Sequence, residues 1–119
     1  MPQPSAGPRA LLSQAALQIL MVLAQRDAHG YAIKQAIEER TSGELSLGPG
    51  TLYEAIHRML RDGLIEEAGV PPGAEGGGRR RFYRITESGR REMQAELARL
   101  DRLVRQARSA RLLPEEGGA

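Results

Sequence analysis

The side chains whose types and spacing could do chemistry are concentrated around the segment LGPGTLYEAIHRML, residues 47–60. Hydroxyl, guanidinium and carboxylate groups recur there at helical intervals, so that they share one face of a predicted helix. Such a face can contact phosphate oxygens and the edges of bases. The candidate residues on or beside this face are Thr51, Tyr53, Glu54, His57, Arg58 and Arg61.

This helix starts with Gly48, Pro49 and Gly50, three residues that are poor formers of a helix interior. Proline suits the first turn, because its missing N–H would have no partner within the helix anyway. The glycines keep side chains away, so that a phosphate could approach the first N–H groups of the helix. The alternative interpretation is a tight turn that leads into an ordinary surface helix.

A second basic group is a run of three arginines: Arg79, Arg80 and Arg81. It follows a glycine-rich loop, 71–78, between two strand-like runs, 64–70 and 79–85, which together predict a β-hairpin. Arginines at this place could neutralise DNA phosphates, with an affinity that falls as salt rises. Alternatively, they form a solvated charge run or protect an exposed strand edge.

The C-terminal third of the chain contains an apolar stripe with the spacing of a coiled-coil seam. We expect this stripe to pair with a second copy of the chain, although part of it should contact the first helix. The alternative is a helix that folds back entirely on its own domain. A dimer would place two copies of the third helix across a two-fold axis, which matches a palindromic DNA site. The stripe consists of Met93, Leu97, Leu100, Leu103, Val104 and Ala107.

The elements that must position these residues follow from apolar periodicity and from capping signals. Ser13 and Thr86 are candidate N-caps of the first and last helices, and Gly63 is a candidate C-terminal glycine after the third helix. The first helix is apolar almost all round and should be central. The expected helices are 14–25, 31–40, 49–61 and 87–112, and the expected extended segments are 45–47, 64–70 and 79–85.

This order of elements predicts a mainly α fold with a small β-hairpin wing, a winged helix-turn-helix that carries a C-terminal dimerisation helix. The third helix would enter a groove of DNA, and the hairpin would form the wing. We divide the chain into a flexible arm (1–12), a winged helix domain (13–85), a dimerisation helix (86–113) and a tail (114–119).

Composition excludes several classes of protein. The 119 residues include no cysteine, so that disulfides, zinc sites built on cysteine and thiol nucleophiles are excluded. The longest apolar stretch, 16–24, is too short to span a bilayer, and a cytoplasmic protein without a membrane partner is expected. His29 and His57 lack the spacing of paired metal ligands, and no catalytic or cofactor-binding motif is present. We expect no enzyme, no metal and no cofactor.

Three segments together resemble the PadR-type transcriptional regulators: HGYAIKQAIEE (29–39), LSLGPGTLYEAIHRMLRDGLIEE (45–67) and RRRFYRITESGRREM (79–93). The resemblance covers about 13–105. It implies a homodimeric winged helix, usually a repressor that a small molecule or stress signal releases. It also implies that Thr51 and Tyr53 contact the DNA backbone, that His57 and Arg58 lie near the groove, and that the arginine run serves the wing.

The sequence departs from that family in its final helix, which has no tryptophan where many relatives carry an aromatic residue. Leu97 and Leu100 occupy this region, where relatives stack flat ligands. The leading hypothesis is a DNA-binding repressor. A second hypothesis is a winged-helix protein-interaction module without a DNA target, which Glu54 on the polar face would favour, and a third is a ligand-only sensor.

Overall fold

The computed structural model describes residues 12–69 and 81–114, in which four helices pack with one small antiparallel sheet. The elements in chain order are α1 (Gln14–Gln25), β1 (Ala28–His29), α2 (Gly30–Arg40), α3 (Pro49–Arg61), β2 (Ile65–Ala68), β3 (Phe82–Ile85) and α4 (Glu87–Ser109). No helix within these residues is both long and apolar enough to cross a membrane.

Helix α1 lies at the centre of the core and contacts α2, α3, α4 and β3. Its apolar residues point in several directions, and Ile19 and Leu20 are completely buried. The neighbouring helices contribute branched aliphatic side chains, such as Ile33 from α2 and Ile56 from α3, which are also fully buried. The core is therefore mainly aliphatic, with Tyr83 as an aromatic member, and the predicted central position of the first helix is confirmed.

The three strands have the order β1-β3-β2, and both pairings are antiparallel. The short strand predicted at 45–47 is absent from the sheet, whose third strand is β1, where Ala28 pairs with Tyr83. Residues 45–47 instead form an irregular connection. The Thr41 hydroxyl holds this connection by accepting a hydrogen bond from the Leu45 N–H at 3.1 Å. Burial of Leu47 then anchors it to the core without any strand partner.

Helix α4 ends at Ser109, three residues before the predicted end at 112. Arg111 takes a positive φ of 63°, and the Leu112 N–H donates back to the Ala107 carbonyl at 2.8 Å. This is a Schellman-type helix end, which a left-handed residue normally provides. The apolar pattern continues through the following leucines, and apolar periodicity therefore predicts a helix that is too long.

Hydrogen bonds and close packing attach the start of α4 to the residues that follow α3. Thr86 donates from its hydroxyl to the Gly63 carbonyl at 2.7 Å and accepts from the Gly89 N–H at 3.0 Å. A Cβ at Gly89 would lie 2.0 Å from the Leu64 carbonyl oxygen, so that only glycine fits there. These contacts fix the hairpin between the helix α3 that precedes it and the helix α4 that follows it.

Candidate nucleic-acid interface

Helix α3 separates an apolar side from a polar side. Leu52, Ile56 and Met59 are at most 2% exposed and attach the helix to the core. The predicted side chains lie on the outer surface, which we call the polar face of α3: Thr51, Glu54, His57, Arg58 and Arg61 are all exposed. The structure thus places these five predicted residues together on one accessible surface. Tyr53 lies at its border and is 41% exposed.

The N-terminus of α3 differs from those of the other three helices in the described ranges. Ser13, His29 and Thr86 each accept a hydrogen bond from a backbone N–H in the first turn of α1, α2 and α4. Helix α3 begins after Gly48 and has no side-chain cap. A helix end that lacks such a cap leaves backbone donors and the positive end of the helix dipole open to an external acceptor.

The glycines at this end have no internal packing role among the residues that the structure describes. A Cβ at Gly48 or Gly50 would meet no atom within 4 Å, and neither residue has a positive φ. The fold itself would accept larger residues at both positions. Both glycines are exposed, so the space beside the start of α3 is open to solvent.

The basic side chains of α3 and of the hairpin differ in their partners. The side chains of Arg58 and Arg61 make no hydrogen bond or ion pair with any residue of 12–69 or 81–114. Arg81 instead donates to the Glu67 carboxylate at 3.1 Å across the hairpin. The guanidinium groups of Arg58 and Arg61 are therefore available to an external anion without loss of an ion pair to any described residue. The other two candidates of the wing, Arg79 and Arg80, lie outside the described residues, as does the loop 71–78.

The hairpin lies close to the aromatic border of α3. Tyr83 of β3 is only 4% exposed. Burial raises the pKa of its phenol, and the nearby Tyr53 and Glu67 raise that pKa further, while Arg81 acts in the opposite direction. Helix α3 contacts strand β2 of the same hairpin. The base of the hairpin therefore lies beside α3.

The interpretation from sequence missed the structural role of the HGY segment. His29 caps α2 by accepting from the Ala32 N–H at 3.2 Å, and its ring packs edge-on against Phe82 at a centroid distance of 5.2 Å. Gly30 lies beside the ring of Tyr53. A histidine before a glycine at a helix start could have indicated a cap, but the contact with Tyr53 is distant in sequence.

The apolar stripe of α4 is divided between the core and the surface. Met93 belongs to the core cluster, and Leu100 packs against that cluster while partly exposed. Ala107 is half-buried. The rest of the stripe remains accessible, and we call it the exposed stripe of α4: Leu97 is 36% exposed, Leu103 51% and Val104 36%.

The family model of the PadR-like transcriptional regulators matches residues 19–95, which include the core, α3, the hairpin and the start of α4. The chain belongs to the PadR-like family. Members of this family are transcriptional regulators and not enzymes. The predictions of a PadR-type protein, of its winged helix fold and of a non-enzyme are confirmed.

Three relatives of this PadR-like chain show how widely the similarity extends. The transcriptional regulator Rv3488 of Mycobacterium tuberculosis is 33% identical over 91 residues, which is 76% of this chain and 78% of that protein. An uncharacterized protein of Lysinibacillus sphaericus is 33% identical over 72 residues, 60% of this chain and 64% of its own length. A 37.1 kDa transposon protein of Streptomyces fradiae is 36% identical over 91 residues, 76% of this chain. The chain spans only 24% of that last protein.

Solved structures share the fold of this PadR-like chain. A PadR family transcription regulator of Clostridium difficile R20291 is 26% identical, with a TM-score of 0.68 over 82% of this chain and 97% of that one. The PadR protein of Bacillus subtilis, solved in complex with operator DNA, is 21% identical. Its TM-score is 0.58 over 69% of this chain and 45% of that one, a likeness of fold alone.

Proposed function

We propose that this PadR-like chain is a homodimeric regulator that binds a specific DNA sequence through α3 and represses transcription. The observation that carries this proposal is the uncapped start of α3 beside a polar face with two guanidinium groups that have no partner among the described residues. Family membership supports it, as does the fold shared with a B. subtilis protein solved on operator DNA.

In this proposal the start of α3 binds the DNA backbone. The N–H groups of Gly50 and Thr51 lie in a first turn without a side-chain cap, and Gly48 adds no side chain that would hinder a phosphate. The Thr51 and Tyr53 hydroxyls would add donors near the same phosphate. Contacts of this kind fix the orientation of a protein on DNA without reading its sequence.

Sequence specificity would come from the more distal part of the polar face. Arg58 and Arg61 are two to three turns from the start of α3 and could reach base edges in the major groove, with His57 beside them. Arginine forms paired hydrogen bonds with guanine, and Glu54 could accept from the amino group of cytosine. The wing, with Arg81 and the predicted contributions of Arg79 and Arg80, would add contacts to phosphates.

Dimerisation through the exposed stripe of α4 would complete the operator-binding unit. A second copy would cover Leu97, Leu103 and Val104 and would carry a second α3. Two such helices related by a two-fold axis match two half-sites of a palindrome, about 34 Å apart along one turn of DNA. Release by a small molecule or a stress signal, and action in the cytoplasm, are part of this proposal by analogy with the family.

The decisive experiment is fluorescence anisotropy with DNA from upstream of the gene of this protein, a scrambled duplex as control, and a salt series. We expect tight binding to the native duplex alone and an affinity that decreases steeply with salt, because phosphate contacts release counterions. Equal and weak binding to both duplexes would contradict sequence-specific operator binding at this site.

A protein-interaction module is the second candidate function, and the exposed carboxylate of Glu54 favours it, because it would repel phosphate. No DNA binding even at low salt, together with a monodisperse and folded protein, would support this candidate and refute the first.

A further inference from the structure

A glycine at the start of α2 determines where an aromatic side chain of α3 can lie. If Gly30 carried a Cβ, that atom would lie 2.4 Å from the hydroxyl oxygen of Tyr53, 2.9 Å from its Cζ and 3.1 Å from its Cε1. These separations are far below van der Waals contact. The ring of Tyr53 therefore occupies the space that any other residue at position 30 would need.

The backbone of α2 gives no other reason for a glycine at this position. Among the described glycines, Gly43 and Gly63 have a positive φ, but Gly30 does not. Gly30 is the first residue of a helix, where alanine would be more favourable than glycine. The contact with Tyr53 is thus the feature of the structure that a side chain at position 30 would disturb.

The start of α2 cannot easily move away from the ring. Ala28 and His29 are paired with β3, the His29 side chain caps the helix, and its imidazole packs against Phe82. Tyr53, in contrast, is 41% exposed and can rotate toward solvent. A side chain at position 30 would therefore displace the tyrosine rather than the helix.

We infer that Gly30 is a positioning residue for DNA binding, which acts by letting the ring of Tyr53 lie against the start of α2, with its hydroxyl beside Gly30. The inference rests on the proposed function. It assigns the HGY segment to the interface through Tyr53 and not through a contact of its own. Gly30 is buried and does not itself offer a donor side chain to DNA.

The test is a double-mutant cycle of Gly30→Ala and Tyr53→Ala, with DNA affinity measured by anisotropy and stability by thermal unfolding. We expect Gly30→Ala to weaken binding about tenfold, the scale of one lost hydrogen bond to a charged group, without lowering the melting temperature. In the Tyr53→Ala background, the glycine substitution should have no further effect on binding. Gln14→Ala, at the exposed first residue of α1, is the control for a substitution at a helix start.

Unchanged affinity in Gly30→Ala would overturn the inference. If Gly30→Ala weakens DNA binding equally with and without the Tyr53 ring, the inference is also overturned, because such a loss would show general damage to α2. A readout without DNA uses NMR of ring-labelled tyrosines, of which the chain has 3. The Tyr53 and Tyr83 signals should shift in Gly30→Ala. If the wild type binds no DNA, the proposed function fails, and these shifts still report whether Gly30 seats the ring.

Discussion

Helices α3 and α4 are both amphipathic, but they leave opposite kinds of surface exposed. The apolar side of α3 is buried within its own chain, and its outer surface consists mainly of polar side chains. Helix α4 is longer, at 23 residues, and buries only Gly89, Met93 and Glu96. Its exposed stripe remains apolar. The surface of α3 suits a charged partner, and that of α4 suits a second apolar surface.

The two helices also differ in whether their charged side chains are paired and whether a side chain caps their first turn. In α4, Arg99 and Arg105 each pair with a carboxylate of the same helix, and Thr86 caps the first turn. In α3, no side chain caps the first turn, and Arg58 and Arg61 have no partner in the described ranges. The electrostatic groups of α4 are largely neutralised internally, whereas those of α3 are available to an external anion.

The largest effect is expected from charging the exposed stripe of α4. The double substitution Leu103→Glu/Val104→Glu should weaken self-association by at least about 100-fold, because unpaired charges buried at an apolar interface cost several kcal/mol. Both positions are exposed in the single chain, so that the fold should be preserved. Sedimentation equilibrium measures the change, and operator affinity should fall with it.

The matched control for this variant is Ala95→Glu/Ala98→Glu, which adds the same charge to the opposite, exposed side of α4. We expect it to remain dimeric. If both variants stay dimeric, the dimer interface lies elsewhere than on the exposed stripe.

A smaller effect is expected from substituting Gly89, near the start of α4, or Gly50, near the start of α3. Gly89→Ala should lower the free energy of unfolding by roughly 1–3 kcal/mol, the usual cost of overpacking, because its Cβ would collide with the Leu64 carbonyl. Gly50→Ala at the open start of α3 should leave stability unchanged or slightly higher. Urea denaturation measures both. Equal destabilisation by the two substitutions would contradict the claim that the start of α4 is tightly packed and the start of α3 is not.

The smallest effect concerns the ion pair on the buried side of α4. Arg99 donates to Glu96 at 2.7 and 3.1 Å and lowers the pKa of that carboxyl below its usual 4.5, although burial acts against this. The folded state therefore favours the ionised form, which stabilises the protein above the unfolded pKa. Stability from this pair is lost as the pH falls below about 4.5 and through the folded pKa.

Glu96→Gln should accordingly lower the melting temperature at neutral pH by a small amount, and the difference from wild type should shrink in acid. Thermal unfolding of both proteins across this pH range is the measurement. A difference that stays constant with pH would show that packing, and not the charge of Glu96, stabilises this site.

The sequence is informative where the physical signal is local. The bounds of α3, Pro49–Arg61, agree with the prediction because proline, glycine and apolar periodicity all lie within one short segment. The two-residue strand β1 was missed because it exists only through its pairing with β3. The contact between Gly30 and Tyr53 was missed for the same reason, since it joins residues of different helices.

The central claim is that the polar face of α3 binds DNA, and the most direct test compares operator binding by wild type and by Arg58→Ala/Arg61→Ala. We expect DNA binding to weaken by roughly 1–3 kcal/mol for each lost contact with a base, with unchanged stability and self-association. The control Arg102→Ala/Arg105→Ala removes equal charge from α4 and should bind as wild type does. Operator affinity that is unchanged in the α3 variant, or reduced equally in both variants, would contradict the assignment of α3 as the DNA-binding helix.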